Sequence, residues 1–211
     1  MSRGLFITFE GTDGTGKSTQ IEFAREYFES RGFNVLMSRE PGGTSISEKL
    51  RDILLDKAND EMSPVTEMMI YAASRAQLVS EVIIPAVNDG TVVICDRFVD
   101  SSVAYQAFGR GLGDMVAEVN SYATTGLAPD ITFFMDIDPE VGRSRIAGGE
   151  LDRLEQEKSD FFRRVYDGYK SIAASDPGRV KTIDASGTVE EVRAAIEVHL
   201  DEITGRMGLD G

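Results

Sequence analysis

Leu5-Phe6-Ile7-Thr8-Phe9-Glu10-Gly11-Thr12-Asp13-Gly14-Thr15-Gly16-Lys17-Ser18-Thr19 is the stretch that decides the fold. Residues 5–9 are bulky and mostly apolar, the pattern of a strand buried on both faces. A glycine-rich turn follows. Ile21, Ala24 and Phe28 then recur at helical spacing up to Gly32, so residues 18–30 read as a helix. Between strand and helix, residues 11–18 match G-x-x-x-x-G-K-[ST]. The glycines let the backbone curl until its N–H groups point inward, and the helix N-terminus adds partial positive charge. Such a loop cradles phosphate oxygens.

Outward from this unit, apolar runs and helical patterns alternate. Residues 35–37, 91–95, 131–135 and 180–183 read as four more strands. A helix begins near Ser45, with Ser45 and Glu48 as a capping box and Ile46, Leu50 and Ile53 as its apolar stripe. Ser63-Pro64 opens a helical segment to about residue 88, bent near Pro85. Helices follow over 100–108 and 114–126, after Asp138-Pro139, and through Phe161, Val165 and Tyr169. Thr188 and Glu191 cap the last helix, whose stripe is Val192, Ala195, Ile196 and Ile203. Five short strands separated by helices predict a single-domain α/β fold, its mostly parallel sheet covered on both faces. The helices outnumber the crossovers, which makes residues about 44–88 an acceptor-side addition to the core.

Composition narrows the function. The 211 residues carry 36 acidic and 22 basic side chains, a net charge of −14. That balance argues against sequence-independent nucleic-acid binding and against anionic membranes. One cysteine, Cys95, excludes an internal disulfide framework, and one histidine, His199, excludes a His-rich metal site. Both read as packing residues. There is no secretory h-region and no apolar run of about 18 residues, so a cytoplasmic location is expected.

The loop residues Gly11, Thr12, Asp13, Gly14, Thr15, Gly16, Lys17, Ser18 and Thr19 are the expected nucleotide contacts. Lys17 would reach the β- and γ-phosphates of a purine triphosphate, and the Ser18 hydroxyl would meet Mg²⁺. Asp96 ends the third strand, where a carboxylate joins the metal's shell; taken alone, it also reads as a helix cap. No N-K-x-D tetrapeptide reads guanine. A second anion is signalled by Arg39, after the second strand, and by Arg97, beside Asp96 and near the transferring phosphates. Tyr71 and Arg75 stand at i and i+4 on one helix, a face that stacks a base and bonds its edge. Alone, such a pair is also an ordinary surface cation–π contact.

Five motifs in order, Phe9 to Thr19, Arg39-Glu40-Pro41-Gly42-Gly43, Asp96-Arg97-Phe98, Ser101-Ser102-Val103-Ala104-Tyr105-Gln106 and Glu150-Leu151-Asp152-Arg153, resemble the thymidylate kinase family across residues 3–203. The resemblance implies a P-loop NTPase three-layer α/β/α sandwich with strand order 2-3-1-4-5. It implies γ-phosphoryl transfer from MgATP to thymidine 5′-monophosphate (dTMP), a lid at about 143–155, and a homodimer. By motif, Asp13 would hold the acceptor's 3′-hydroxyl, and Arg39 and Arg97 its 5′-phosphate. Tyr71 would stack on thymine, Arg75 would bond O4, and Ser102 and Gln106 would lie near the base edge. Tyr105 would crowd the 2′ position. Lys17, Arg97 and Arg153 are the catalytic set, with Arg153 the lid arginine of the bacterial type; Arg143 or Arg145 would stack on adenine. The chain departs from the pattern at Phe98, where a phenol is usual, and at Ala147-Gly148-Gly149, where a further arginine is common. Rival readings are a kinase for another nucleoside monophosphate and a nucleotide switch without turnover.

Overall fold

The computed structural model describes residues 3–146 and 152–206. Five strands, β1 (Phe6–Glu10), β2 (Val35–Arg39), β3 (Val92–Asp96), β4 (Ile131–Asp136) and β5 (Val180–Asp184), form one parallel sheet in the order β2-β3-β1-β4-β5. Each strand runs past its apolar core to end on a charged residue: Glu10, Arg39, Asp96, Asp136 or Asp184. The carboxyl edge of the sheet therefore carries the charge. Phe9 is level with Asp96, and Asp96 with Arg39.

Alternation along β1 sorts the two layers. Ile7 and Phe9 pack with Ile21, Ala24 and Phe28 of α1 (Lys17–Ser30) and with Val192, Ile196 and Leu200 of α9 (Val189–Arg206). Phe6 points the other way, into a cluster with Leu78, Val79, Ile83 and Cys95. The Thr188–Glu191 capping box forms as expected, Thr188 N–H to the carboxylate at 2.8 Å and Glu191 N–H to the hydroxyl at 3.2 Å. Ala195 is exposed, because the buried face of α9 follows i, i+4, i+8 from Val192.

The acceptor side comprises α2 (Ser45–Leu55), α3 (Pro64–Leu78) and α4 (Ile84–Asn88). Two expectations need correction in α2. Its cap is Thr44, whose hydroxyl accepts from Ser47 N–H at 3.1 Å, one residue before Ser45; Glu48 instead accepts from Gly43 N–H and pairs with Arg39. The Ile46–Ile53 stripe faces out, at 50% and 44% exposure, while Ser47 and Leu54 are buried. Near Pro85, where a bend is expected, the helix carries a π-helical turn, Val79–Ile83, set just before a proline that has no N–H to give. A second π-helical stretch, Val103–Gly109, follows α5 (Val99–Ser102) and carries Tyr105 and Gln106. Then come α6 (Met115–Thr124), α7 (Pro139–Arg145) and α8 (Ser159–Ser175). Of the lid expected over 143–155, residues 147–151 lie outside the described residues.

Candidate active site

The loop between β1 and α1 needs glycine where the backbone turns left-handed: Gly14 has φ +78° and Gly16 φ +88°. It is also crowded. A Cβ on Gly14 would lie 2.0 Å from the Gly142 carbonyl oxygen, so the loop abuts α7 backbone to backbone. Lys17 is folded over its own loop, Nζ donating to the Gly11 carbonyl at 3.1 Å and the Thr12 carbonyl at 2.9 Å. Burial, and next the neighbouring Arg97 charge, depress its ammonium to about 8.

Two cavities open at the sheet's carboxyl edge. One is lined by loop residues 13–19 with Arg39, Asp96, Arg97 and Arg145. The other is lined by Tyr71, Arg75, Phe98, Ser102, Tyr105 and Gln106. Asp13, Glu40, Arg51 and Arg97 line both and form the wall between them. Arg97 takes a left-handed backbone, φ 69°, just past β3. Its guanidinium donates to Asp13 at 2.7 Å, to the Gly11 carbonyl at 2.8 Å and to Ser101 and Tyr169 at 3.3 Å. Burial alone would raise the Asp13 carboxyl; Arg97 and Lys17 outweigh it and hold the group below its ordinary range.

Arg75 is 1% exposed. It meets Glu40 at 2.7 Å, Ser102 at 2.9 Å, the Phe98 carbonyl at 3.0 Å and Asn120. The Tyr105 hydroxyl is buried with no partner among the described residues, and burial pushes that phenol above its usual range. Thr12 and Thr15 hydroxyls and Asp96 Oδ1 are likewise unpartnered beside the loop. Among the described residues no cluster of three or more His, Cys, Asp or Glu side chains could hold a metal unaided. An unpaired carboxylate oxygen in the cavity that Ser18 also lines instead fits a Mg²⁺ that phosphates help to hold.

The structure places two expected arginines, Arg153 and Arg143, outside both cavities. Arg153 lines neither cavity: it is buried, donating to the Leu54 carbonyl at 2.8 Å and to Glu67 at 2.7 Å. Of the two adenine candidates, Arg145 lines the loop cavity, while Arg143 lies over the Phe162 ring at 4.8 Å. Residues that the motifs did not single out complete the site. Arg51 stands in the shared wall, bonded to the Pro41 carbonyl at 2.8 Å. Glu10 accepts from Phe98 N–H at 2.7 Å, Ser101 at 2.6 Å and Tyr169 at 3.2 Å, and burial, reinforced by Asp100, pushes its carboxyl up to about 7. A carboxylate ending a fully buried strand was the available signal for Glu10. Arg51 carried none, being one more charge on a helix.

A phosphate loop joined through a charged wall to a second, base-sized cavity defines a P-loop phosphotransferase that acts on a small nucleotide acceptor. The family model described as thymidylate kinase matches residues 9–196. A thymidylate kinase of Thermoanaerobacter sp. (strain X514) is 50% identical over 95% of this chain and 96% of its own length. One of Lactobacillus delbrueckii subsp. bulgaricus is 52% identical over 92% of this chain and 93% of its own. The crystal structure of the Ehrlichia chaffeensis thymidylate kinase is similar with a TM-score of 0.76 at 32% identity, covering 94% of this chain and 99% of that one. The chain belongs to the thymidylate kinase family.

Proposed function

We propose that the loop cavity takes the triphosphate of ATP and the Tyr71–Gln106 cavity takes dTMP. The chain is an enzyme that moves the γ-phosphoryl group of ATP to dTMP, giving dTDP and ADP. One observation carries this reading: Asp13, Glu40, Arg51 and Arg97 line both cavities, so acceptor phosphate and donor phosphate meet across one wall. A phosphate monoester dianion is already a nucleophile, and no general base is needed. Catalysis is positioning plus charge stabilisation.

In this reading Lys17 leaves the Gly11 and Thr12 carbonyls for the β- and γ-phosphates. Arg97 binds the acceptor phosphate with Arg51 in the same wall, and Arg39, which lines the loop cavity, reaches it from the donor side. Asp13 takes the 3′-hydroxyl, Tyr71 stacks on the base, and the bonded pair Arg75–Ser102 meets O4. Tyr105 crowds a 2′-hydroxyl. Ser18 and Asp96 would hold Mg²⁺, which when bound screens the phosphate charge. Arg145 is the adenine-side arginine. The test is ATP consumption over a panel of acceptors. Arg75 only donates, so dTMP and deoxyuridylate should be phosphorylated at least tenfold faster than deoxycytidylate (dCMP), on the order expected of a polar base-reading site. Equal rates on dCMP would refute the acceptor assignment.

A homodimer and a cytoplasmic location belong to the same proposal. The dimer is supported by exposed apolar residues on successive packed helices: Ile46 and Ile53 on α2, Val65 and Met69 on α3, Met115 and Tyr122 on α6. Each pair is spaced to share one face of its helix. Among the described residues no helix is long and apolar enough to cross a membrane.

A further inference from the structure

Gln106 sits in the wall of the acceptor cavity, 1% exposed. A side-chain amide offers an acceptor on one side and two donors on the other, so its orientation decides what the cavity presents to a base. Here the orientation is settled by charge. Nε2 donates to Glu67 Oε1 at 3.0 Å. An ionised carboxylate has no proton to give, so it bonds only the NH₂ end; a flipped amide would set oxygen against oxygen.

Glu67 is itself held rigidly. It is 1% exposed, yet Arg110 donates to it through Nε at 3.1 Å and a terminal nitrogen at 2.9 Å, and Arg153 at 2.7 Å. Burial would raise this carboxyl, but the Arg110 bonds and charge outweigh it and keep it ionised. Both oxygens are thus engaged by donors from three residues on two parts of the chain. Gln106 Oε1, by contrast, takes no hydrogen bond from the described residues.

We infer that Glu67 is a specificity-determining positioning residue: clamped by Arg110 and Arg153, it locks the Gln106 amide so that the cavity sees a carbonyl oxygen. This rests on the acceptor cavity proposed above. The Arg75–Ser102 pair then offers a donor, the Ser102 hydroxyl that accepts from Arg75, and Gln106 offers an acceptor in the same cavity. A pyrimidine with a carbonyl at position 4 and a proton on N3 matches both. Cytosine, with an amino group at 4 and a bare N3, mismatches both. It also gives Arg153 work on the acceptor side, as part of the clamp.

The experiment is the ratio of kcat/KM for dTMP to that for dCMP in wild type, Glu67→Gln, Gln106→Leu and the double variant. A neutral amide at 67 can accept or donate, so Gln106 becomes free to turn. Glu67→Gln should lower the ratio about tenfold or more. Gln106→Leu should lower it as well, and adding Glu67→Gln to Gln106→Leu should change it no further. An unchanged ratio in either single variant, or additive effects in the double, would overturn the inference. Gln106→Leu keeps the test available if Glu67→Gln does not fold. Wild-type turnover of dTMP is read separately: its absence removes the proposed acceptor, whereas a normal wild type with unmoved variant ratios removes only the role of Glu67.

Discussion

Lys17 shows how far burial and one neighbouring cation can tune a group. Its ammonium lies within the loop's own carbonyls and beside Arg97, and it titrates near pH 8, where a free lysine titrates near 10.5. The sign is that of a depressed base: the charge that attracts triphosphate is present below about pH 8 and lost above it. The expected outcome is a kcat/KM for ATP that falls on an alkaline limb with an apparent pKa near 8, measured from pH 6 to 10. A profile flat to pH 10 would count against the assignment. Gly14 marks the opposite kind of constraint. Its positive φ and the Gly142 oxygen 2.0 Å from where a Cβ would stand leave no room for any larger side chain at this point of the loop.

At the scale of elements, the segment after α7 differs most from its expectation. Arg153 was expected among the transferring phosphates and lies instead under α2 and α3, tied to Leu54 and Glu67. Breaking one side of a buried ionic contact costs about 3–5 kcal/mol, whereas losing a transition-state arginine costs about 10³–10⁵ in rate. Arg153→Ala should therefore lower stability by about 3 kcal/mol in denaturant titration, on that scale of buried-pair cost, and change kcat on dTMP by less than about tenfold. A thousandfold loss of kcat in a stable variant would return Arg153 to the phosphates. The same scale explains the misread α2. Its motif is amphipathic in sequence, but α3 covers only the Ser47–Leu54 face, so the isoleucine stripe stays outside.

Over the whole molecule, that uncovered stripe and the net charge of −14 are the two surface facts that matter. Apolar side chains at 50% exposure for Ile46, 48% for Met69 and 77% for Tyr122 fit an association face on helices that lie side by side. Met69→Glu should shift the protein to monomer in sedimentation; a wild type that is monomeric at micromolar concentration would dismiss the face. Against the acidic exterior, the loop cavity gathers Lys17, Arg39, Arg51, Arg97 and Arg145. Five cations from separate segments converge there because parallel strands all end at one edge, and the loops after them must meet.

The α/β class, the five strands, the phosphate loop and the reactive edge are written in the chain residue by residue. Those follow from local signals: a buried strand, a glycine turn, the Thr188–Glu191 capping box, and motifs whose residues are neighbours in the chain. Packing of distant segments is what sets Arg51 against both cavities, lines the loop cavity with Arg145 rather than Arg143, and joins Arg153 and Gln106 on the carboxylate of Glu67. These pairings join residues 39 and 86 positions apart. A long charged side chain carries no periodic signature of its partner, so its direction is set by which buried carboxylate most needs its charge.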